Sequence, residues 1–325
     1  MLTTSFGPFQ LIREIGAGSA AQVYEALMGT RSVALKVFGP GKHLDDRGAI
    51  LKLFRSEAAT SRHLDHPNIV KIVDAGVIDD QPFIAMELFS HGSLEARLRA
   101  ADVLSVKEVA ALLEPLSGAL DYAHGRGVLH RDVKPSNILF GDGGRPALSD
   151  FGVARFLPPR DESTKRGGGL DPPGTTDFLA PEVLEEAPHS VASDIYSLGM
   201  TAYLALTGRL PTDGGTLFTR ARDRVAGKLI SATQRNPNVS ESVSAVVERC
   251  LATHPGERFP SASDFARAFS LAAAGVRIQS TPSATRATED TSKAKTPWLD
   301  YWRYVIVPVL VALIGATVAW CRGTG

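Results

Sequence analysis

The sequence has very little cysteine and no excess of either charge. Only two of its 325 residues are cysteines, Cys250 and Cys321, and they lie far apart. Such thiols form neither a disulfide framework nor a pair with metal-ligand spacing, so a reduced compartment is favoured. The 35 basic and 35 acidic side chains cancel, so no overall field attracts nucleic acid and we expect no nucleic-acid partner. Residues 1–5 show no secretory signal, which predicts a cytoplasmic start.

The distribution of apolar residues divides the chain into two unlike parts. Short β-branched runs separated by glycine clusters fill the first part and predict antiparallel strands. Past Gly92, apolar residues recur at helical spacing, most clearly over residues 105–125. The pattern predicts an α+β protein of two lobes with a cleft between them. We place this domain at residues 9–271, with a small β-rich lobe over about 9–89 and a larger helical lobe over about 90–271.

A polar segment and then an apolar run follow the predicted domain. Residues 272–300 are rich in Ser, Thr, Ala and Lys and predict a disordered linker. Residues 304–321 carry no charge and predict one transmembrane helix, since a span needs roughly 17–20 residues. A buried core helix is the alternative, but this run has no polar face. Basic residues are more frequent before the run than after it, which predicts a single-pass cell-membrane protein with a cytoplasmic domain and an outer tail of residues 322–325.

A glycine-rich stretch over residues 16–23 lies between two predicted strands. Missing side chains let backbone N–H groups approach phosphate oxygens, although a plain hairpin turn explains the same residues. Lys36 follows inside an apolar strand, where its ammonium must reach solvent or an anionic partner. Lys36 is therefore either an edge-strand lysine or a phosphate ligand held by a carboxylate. Glu57, on a helix predicted over residues 45–64, is the candidate carboxylate.

Residues 130–137, His-Arg-Asp-Val-Lys-Pro-Ser-Asn, carry the strongest chemical pattern in the chain. Asp132 can orient and deprotonate a hydroxyl, and Lys134 can neutralise charge on a transferred phosphoryl group. Asn137 offers an amide oxygen to a hard cation such as Mg²⁺. Asp150, in an Asp-Phe-Gly triplet, supplies a carboxylate for the same metal. These motifs occur in this order with a strand lysine upstream and an Ala-Pro-Glu triplet downstream, which makes a chance match hard to accept.

With these motifs the chain resembles the eukaryotic-type (Hanks-type) Ser/Thr protein kinases of the bacterial membrane-anchored kind, over about residues 9–271. The resemblance implies the two-lobed protein-kinase fold, with ATP and Mg²⁺ (or Mn²⁺) as cofactors. It also implies transfer of the ATP γ-phosphoryl group to serine or threonine hydroxyls of protein substrates. Serine and threonine are favoured over tyrosine because of Lys134 and Thr175. A buried ion pair between Glu182 and Arg258 is a further implication.

The resemblance also implies roles for single residues. Asp132 is the implied catalytic base, assisted by Lys134, and Lys36 would pair the ATP phosphates with Glu57. Asn137 and Asp150 are the implied metal ligands. The residues implied to surround the nucleotide are Gly16, Ala17, Gly18, Ser19, Val23, Ala34, Lys36, Met86, Glu87, Phe89 and Leu139.

Residues 152–180 correspond to the activation loop of the family that the chain resembles. A phosphate on Ser163 or Thr164 would pair with Arg131 and order the loop, and Thr175 is a third candidate phosphosite. Solvated loop hydroxyls are the equally weighted alternative. Membrane confinement raises the collision rate between copies, so we expect a transient homodimer for trans-autophosphorylation.

Two other functions stay open at this point. A pseudokinase scaffold usually lacks the strand lysine, the base or the metal carboxylate, and all three are present here. The only departure found in the catalytic region is Ala21 in place of the third glycine of the loop. A small-molecule phosphotransferase of similar fold normally lacks the Ala-Pro-Glu segment, which this chain has at residues 180–182. Neither the protein substrates nor the activating signal follow from the sequence.

Overall fold

The computed structural model describes residues 5–17, 21–38, 62–101, 103–151, 175–213 and 215–276 of the chain. Within these ranges the small lobe is one antiparallel sheet, with strands in the order β1-β2-β3-β4-β6-β5. The strands are β1 Ser5–Phe6, β2 Phe9–Ala17, β3 Ala21–Met28, β4 Arg31–Phe38, β5 Ile72–Ile78 and β6 Gln81–Glu87.

Strands β4 and β6 lie side by side within the sheet, with Ala34 opposite Met86 and Lys36 opposite Ile84. Side chains alternate between the two faces of a strand, so Lys36 shares a face with Ala34. Ala34, Ile84 and Met86 belong to one apolar cluster, while Leu35 and its alternating neighbours pack in a separate cluster on the opposite face. The register therefore aims Lys36 towards the same side of the sheet as the residues predicted to contact adenine.

The second lobe is helical. Its helices are α1 Leu94–Ala101, α2 Val106–His124, α3 Pro181–Leu184, α4 Val191–Thr207, α5 Leu217–Val225, α6 Ala232–Arg235, α7 Glu241–Cys250 and α8 Ala262–Ala273. A short antiparallel hairpin of β7 Ile138–Phe140 and β8 Pro146–Leu148 lies between α2 and α3 in the chain. The two lobes confirm the predicted α+β architecture.

The ends of the two longest helices follow from local capping. The Ser105 side chain accepts a hydrogen bond from the Glu108 N–H, and the Glu108 carboxylate accepts one from the Ser105 N–H at 2.8 Å. This reciprocal pair fixes the start of α2. Helix α4 begins with the same arrangement at Ser190 and ends at Gly208, whose φ of 68° suits glycine. Almost all of α4 is buried, so it forms the centre of the helical lobe.

The helix predicted over residues 105–125 is α2, Val106–His124, so its bounds agree with the prediction to within one residue at each end. Helix α8 ends at Ala273, two residues into the predicted linker. The predicted transmembrane helix at 304–321 lies outside the described residues. None of the helices in the described part of the chain is both long and apolar enough to cross a membrane.

Candidate active site

One buried carboxylate on α4 holds the backbone of the segment 130–132. Asp194 Oδ2 accepts the His130 N–H and Oδ1 accepts the Arg131 N–H, both at 2.8 Å. The ring of His124 approaches Asp194 Oδ2 at 2.8 Å. Burial alone raises the pKa of Asp194, but the hydrogen bond from His124 and the nearby charges lower it overall. The ionised carboxylate therefore holds Arg131 at a φ of 69°, a conformation that non-glycine residues rarely adopt.

The buried ring of His130 connects this segment with the Asp-Phe-Gly triplet. Its centroid lies 4.4 Å from that of Phe151, and its Nδ1 accepts the Asp132 N–H at 3.3 Å. Burial lowers the pKa of His130 despite the surrounding carboxylates, so the ring stays neutral and accepts this bond. His130 thus packs against Phe151 and positions the backbone of Asp132.

Asp132, Lys134 and Asn137 form one hydrogen-bonded group. Lys134 Nζ lies 2.8 Å from Asp132 Oδ2, and the Asn137 Nδ2 donates to the same oxygen at 2.9 Å. Asn137 Nδ2 also donates to the Asp132 backbone carbonyl at 2.8 Å, so the short turn between these residues is closed on itself. Both side-chain donors use Oδ2, and within the described part of the chain Asp132 Oδ1 accepts no hydrogen bond.

The β7–β8 hairpin brings Asn137 and Asp150 to one place. Ile138 pairs with Leu148, and the Ser149 N–H donates to the Asn137 carbonyl at 2.9 Å, so the two residues lie beside one end of the hairpin. The amide nitrogen of Asn137 is the donor in both of its hydrogen bonds to Asp132, so the amide oxygen is the atom of this side chain that can act as a metal ligand.

Lys36 reaches from the sheet to this hairpin end. Its Nζ lies 2.8 Å from Asp150 Oδ2, and the two side chains are 15% and 21% exposed. Burial by itself raises the pKa of Asp150, but the charge and hydrogen bond of Lys36 lower it overall, so Asp150 is ionised. Asp150 also has a φ of 64°, the second strained non-glycine backbone in the site. The pair joins the β-rich lobe to the helical lobe at the metal-ligand candidates.

The residues predicted to contact adenine lie in one apolar cluster. Its members among them are Val23, Ala34, Met86, Phe89 and Leu139. Gly16 and Ala17 end β2, with Gly16 opposite Val23. The structure therefore brings these residues together from the sheet, the segment between the lobes and the hairpin.

The connection between the lobes is held by Arg145, which belongs to none of the motifs predicted from the sequence. Arg145 Nη2 lies 3.1 Å from Glu87 Oε1, and its guanidinium lies 4.9 Å from the Phe89 ring centroid. Arg145 also donates to the Pro67 carbonyl. The Glu87 N–H donates to the Lys71 carbonyl at 2.9 Å. Arg145 thus links the β7–β8 hairpin to the connection between the lobes.

Several predicted site residues lie outside the described residues. They are Gly18, Ser19, Glu57, Ser163 and Thr164. Thr175 opens a short 3₁₀ turn that runs to Phe178. The predicted pairing of Lys36 with Glu57 therefore stays a prediction, and the carboxylate that Lys36 contacts among the described residues is Asp150.

The family described as protein kinase domain matches residues 9–268 of the chain. The chain belongs to the protein kinase family. It is 37% identical over 265 residues to Ser/Thr-protein kinase PknK of Mycobacterium tuberculosis, covering 79% of this chain and 23% of that protein. It is 32% identical over 290 residues to PrkC of Bacillus subtilis, covering 89% of this chain and 44% of that protein. The chain thus spans less than half the length of these curated relatives.

A solved structure gives the same result for the fold. The kinase domain of M. tuberculosis PknI matches with a TM-score of 0.66 and 30% identity, covering 84% of this chain and 98% of that one. The predicted two-lobed protein-kinase fold is therefore confirmed. The resemblance to bacterial eukaryotic-type Ser/Thr kinases is confirmed as well.

The protein-kinase fold here includes the ion pair that the resemblance implied. Arg258 donates to both carboxylate oxygens of Glu182 at 2.7 Å and to the Ala192 carbonyl at 2.9 Å. The Arg258 side chain is fully buried, while that of Glu182 is 15% exposed. The pair holds α3 against the residues before α8.

Proposed function

We propose that this chain is a Ser/Thr protein kinase that transfers the γ-phosphoryl group of ATP to hydroxyls of protein substrates. The observation that carries the proposal is the convergence of Asp132, Lys134, Asn137 and Asp150 with Lys36 at one cleft. Asp132 Oδ1 would accept the proton of the attacking hydroxyl, while its Oδ2 stays bound to Lys134 and Asn137. Lys134 would neutralise charge on the transferred group. The names of the curated relatives support serine and threonine as acceptors.

The donor set of the cleft fits Mg²⁺ bound together with a nucleotide. Mg²⁺ takes oxygen ligands and usually binds one or two carboxylates plus substrate phosphates. The Asn137 amide oxygen and the Asp150 carboxylate would hold it, with Mn²⁺ as an alternative. When bound, the ion supplies positive charge that offsets the charge of the phosphates.

The nucleotide would lie across the apolar cluster described above. Val23, Ala34 and Leu139 would enclose the adenine, with Met86 beside it. The backbone of residues 87–89 would bind the adenine edge. Gly16, Ala17, Gly18 and Ser19 would cover the phosphates, with Lys36 as a phosphate ligand.

Lys36→Met tests this assignment. We expect the rate of phosphoryl transfer to fall about 10²-fold or more, because one fixed cation that faces the phosphates is lost. The measurement is incorporation of label from γ-labelled ATP by the full-length chain with Mg²⁺. Lys71→Met is the matched control, since the Lys71 ammonium pairs at the surface with the exposed Asp65 carboxylate at 3.2 Å. Equal rates for Lys36→Met and wild type would contradict the assignment.

The two alternatives give different results in the same experiment. A pseudokinase scaffold would give no transfer even in the wild-type chain. A small-molecule phosphotransferase would label metabolites and leave proteins unlabelled. Phosphorylation of the chain itself or of a generic basic protein favours the kinase.

We further propose that the kinase domain, residues 9–271, is joined by the linker 272–300 to a transmembrane helix at 304–321. The enzyme would be a single-pass cell-membrane protein with a cytoplasmic domain. The uncharged length of the run supports this proposal, as does the excess of basic residues before it. Confinement would favour transient homodimers that phosphorylate each other at Ser163 or Thr164.

Deletion of residues 298–325 tests the membrane proposal. We expect the full-length chain in the membrane fraction of the cell and the shortened chain in the soluble fraction. At matched abundance, phosphosite occupancy at Ser163 and Thr164 should fall several-fold, because collisions between copies become rarer. Equal partitioning and equal occupancy would contradict both parts.

A further inference from the structure

The segment 176–180 lies beside the catalytic segment because the same helix holds both. On α4, Asp194 binds the backbone of His130 and Arg131. Three residues later, the Ser197 hydroxyl donates to the Phe178 carbonyl at 2.8 Å. Residues three apart lie on one face of a helix, so these two anchors are neighbours. One face of α4 therefore holds both the catalytic segment and the segment 176–180.

Arg220 of α5 fixes this segment from the other side. Its Nε donates to Asp177 Oδ1 at 2.8 Å, and its Nη2 donates to Oδ2 at 3.1 Å. This two-bond geometry fixes the orientation of both groups more firmly than one contact does. The Asp177 side chain is 1% exposed and that of Arg220 is 21% exposed, so solvent screens the pair only weakly. Arg220 also donates to the Gly215 carbonyl at 3.1 Å.

Arg224, one turn further along α5, binds the backbone of the same segment. Its Nη2 donates to the Thr176 carbonyl at 2.8 Å, and its Nη1 donates to the Asp177 carbonyl. The residue is only 1% exposed, and its Nε finds no hydrogen-bond partner among the described residues. Burial lowers the pKa of Arg224, with Tyr196 and Asp177 acting in the opposite direction.

A buried guanidinium with an unsatisfied donor, such as that of Arg224, adds little to the free energy of unfolding. Burying charge costs free energy, and apolar side chains of similar volume often serve stability as well or better. Arg224 instead donates directional hydrogen bonds to carbonyls of residues 176–179. These bonds fix the backbone geometry of that short segment.

We propose that Asp177, Arg220 and Arg224, here called the Asp177 cluster, are positioning residues for the protein substrate. The cluster sets where the backbone of residues 176–180 stands relative to Asp132, and so where a bound substrate hydroxyl stands. The hydrogen bonds of Arg220 and Arg224 go to residues 176–179 and to Gly215, away from the candidate metal ligands and the apolar cluster of the nucleotide site. This inference rests on the proposed kinase function and concerns its protein substrate alone.

Asp177→Asn and Arg220→Gln in the full-length chain test the proposal. A misplacement of about 1 Å can lower a rate about 10²-fold, so kcat/KM for a generic basic protein should fall by that order. Hydrolysis of ATP in the absence of protein should stay within about twofold of wild type, since water needs no positioning by this segment. The double variant should lose little more than either single one, because both remove the same contact.

Arg222→Gln is the matched control. Arg222 lies on the same helix but pairs with its neighbour Asp223 at the surface, so we expect both activities to be unchanged. Arg220→Lys, which keeps the charge and loses the two-bond geometry, should recover only part of kcat/KM. Thermal melting of each variant separates a loss of folded protein from a loss of positioning.

The outcomes are distinguishable. A parallel fall of ATP hydrolysis and protein phosphorylation in folded Asp177→Asn would overturn the inference, since the cluster would then act on the whole site. An unchanged kcat/KM for protein would overturn it as well. A wild-type chain that neither hydrolyses ATP nor phosphorylates protein would overturn the proposed function and the inference with it.

Discussion

Asp132→Asn is expected to lower the rate of phosphoryl transfer to protein by about 10²–10⁴-fold, the usual contribution of a positioned general base. An amide in place of the carboxylate cannot take up the proton of the attacking hydroxyl. Lys134 also loses its anionic partner at 2.8 Å, so its ammonium is held less firmly. The Asn137 donor keeps an acceptor in the new amide oxygen, so the local backbone should be preserved.

The control for this variant is Asp142→Asn. Asp142 is a fully exposed carboxylate in the turn of the β7–β8 hairpin, close in sequence but outside the cleft. Initial rates with γ-labelled ATP should be unchanged in Asp142→Asn, and both variants should melt within a few degrees of wild type. A rate for Asp132→Asn within tenfold of wild type would remove Asp132 from the role of base.

Glu182→Gln is expected to lower the free energy of unfolding by about 3–5 kcal/mol, the cost of leaving a buried charge without its partner. The fully buried Arg258 would lose both 2.7 Å contacts with a carboxylate. It would keep its bond to the Ala192 carbonyl at 2.9 Å, which favours the lower end of the range. Urea titration with matched m-values measures the change.

Two further variants test whether the cost comes from the stranded guanidinium. Glu185→Gln, on an exposed residue at the end of α3, removes the same charge and should change the free energy of unfolding by less than about 0.5 kcal/mol. The double variant Glu182→Gln, Arg258→Met should be more stable than the sum of the two single losses predicts, because no buried charge is left alone. If the loss of stability in the double variant equalled the sum of the two single losses, the stranded guanidinium would not be the source of the cost.

The sequence predicts the parts of this kinase whose chemistry depends on short motifs. Asp132, Lys134 and Asn137 lie within six residues, so their approach follows from one tight turn. The apolar pattern of β4 predicts which face of the sheet carries Lys36, because side chains alternate between the two faces of a strand. The adenine-site residues come from three separate elements, and their grouping followed from the family resemblance rather than from spacing.

Other parts of the site leave only a weak signal in the sequence. Asp194 is the one charged residue of helix α4, and a buried charge needs partners, so its position could have indicated a residue that binds neighbouring backbone. Arg220 and Arg224 are four apart on a strongly charged helix, a pattern that also describes a solvated face. Their partner Asp177 lies 43 residues from Arg220, and such distant pairing depends on how α4 and α5 pack. Strands as short as those of the β7–β8 hairpin offer too few residues for an alternating pattern.

The central claim is that this cleft moves a phosphoryl group from ATP to serine or threonine in protein. The most direct measurement is incubation of the full-length chain with Mg²⁺, γ-labelled ATP and a generic basic protein, followed by phosphoamino-acid analysis. We predict phosphoserine or phosphothreonine with the wild-type chain and at least 10²-fold less with Asp132→Asn. Label found only in phosphotyrosine or only in small molecules, or equal label with Asp132→Asn, would contradict the claim.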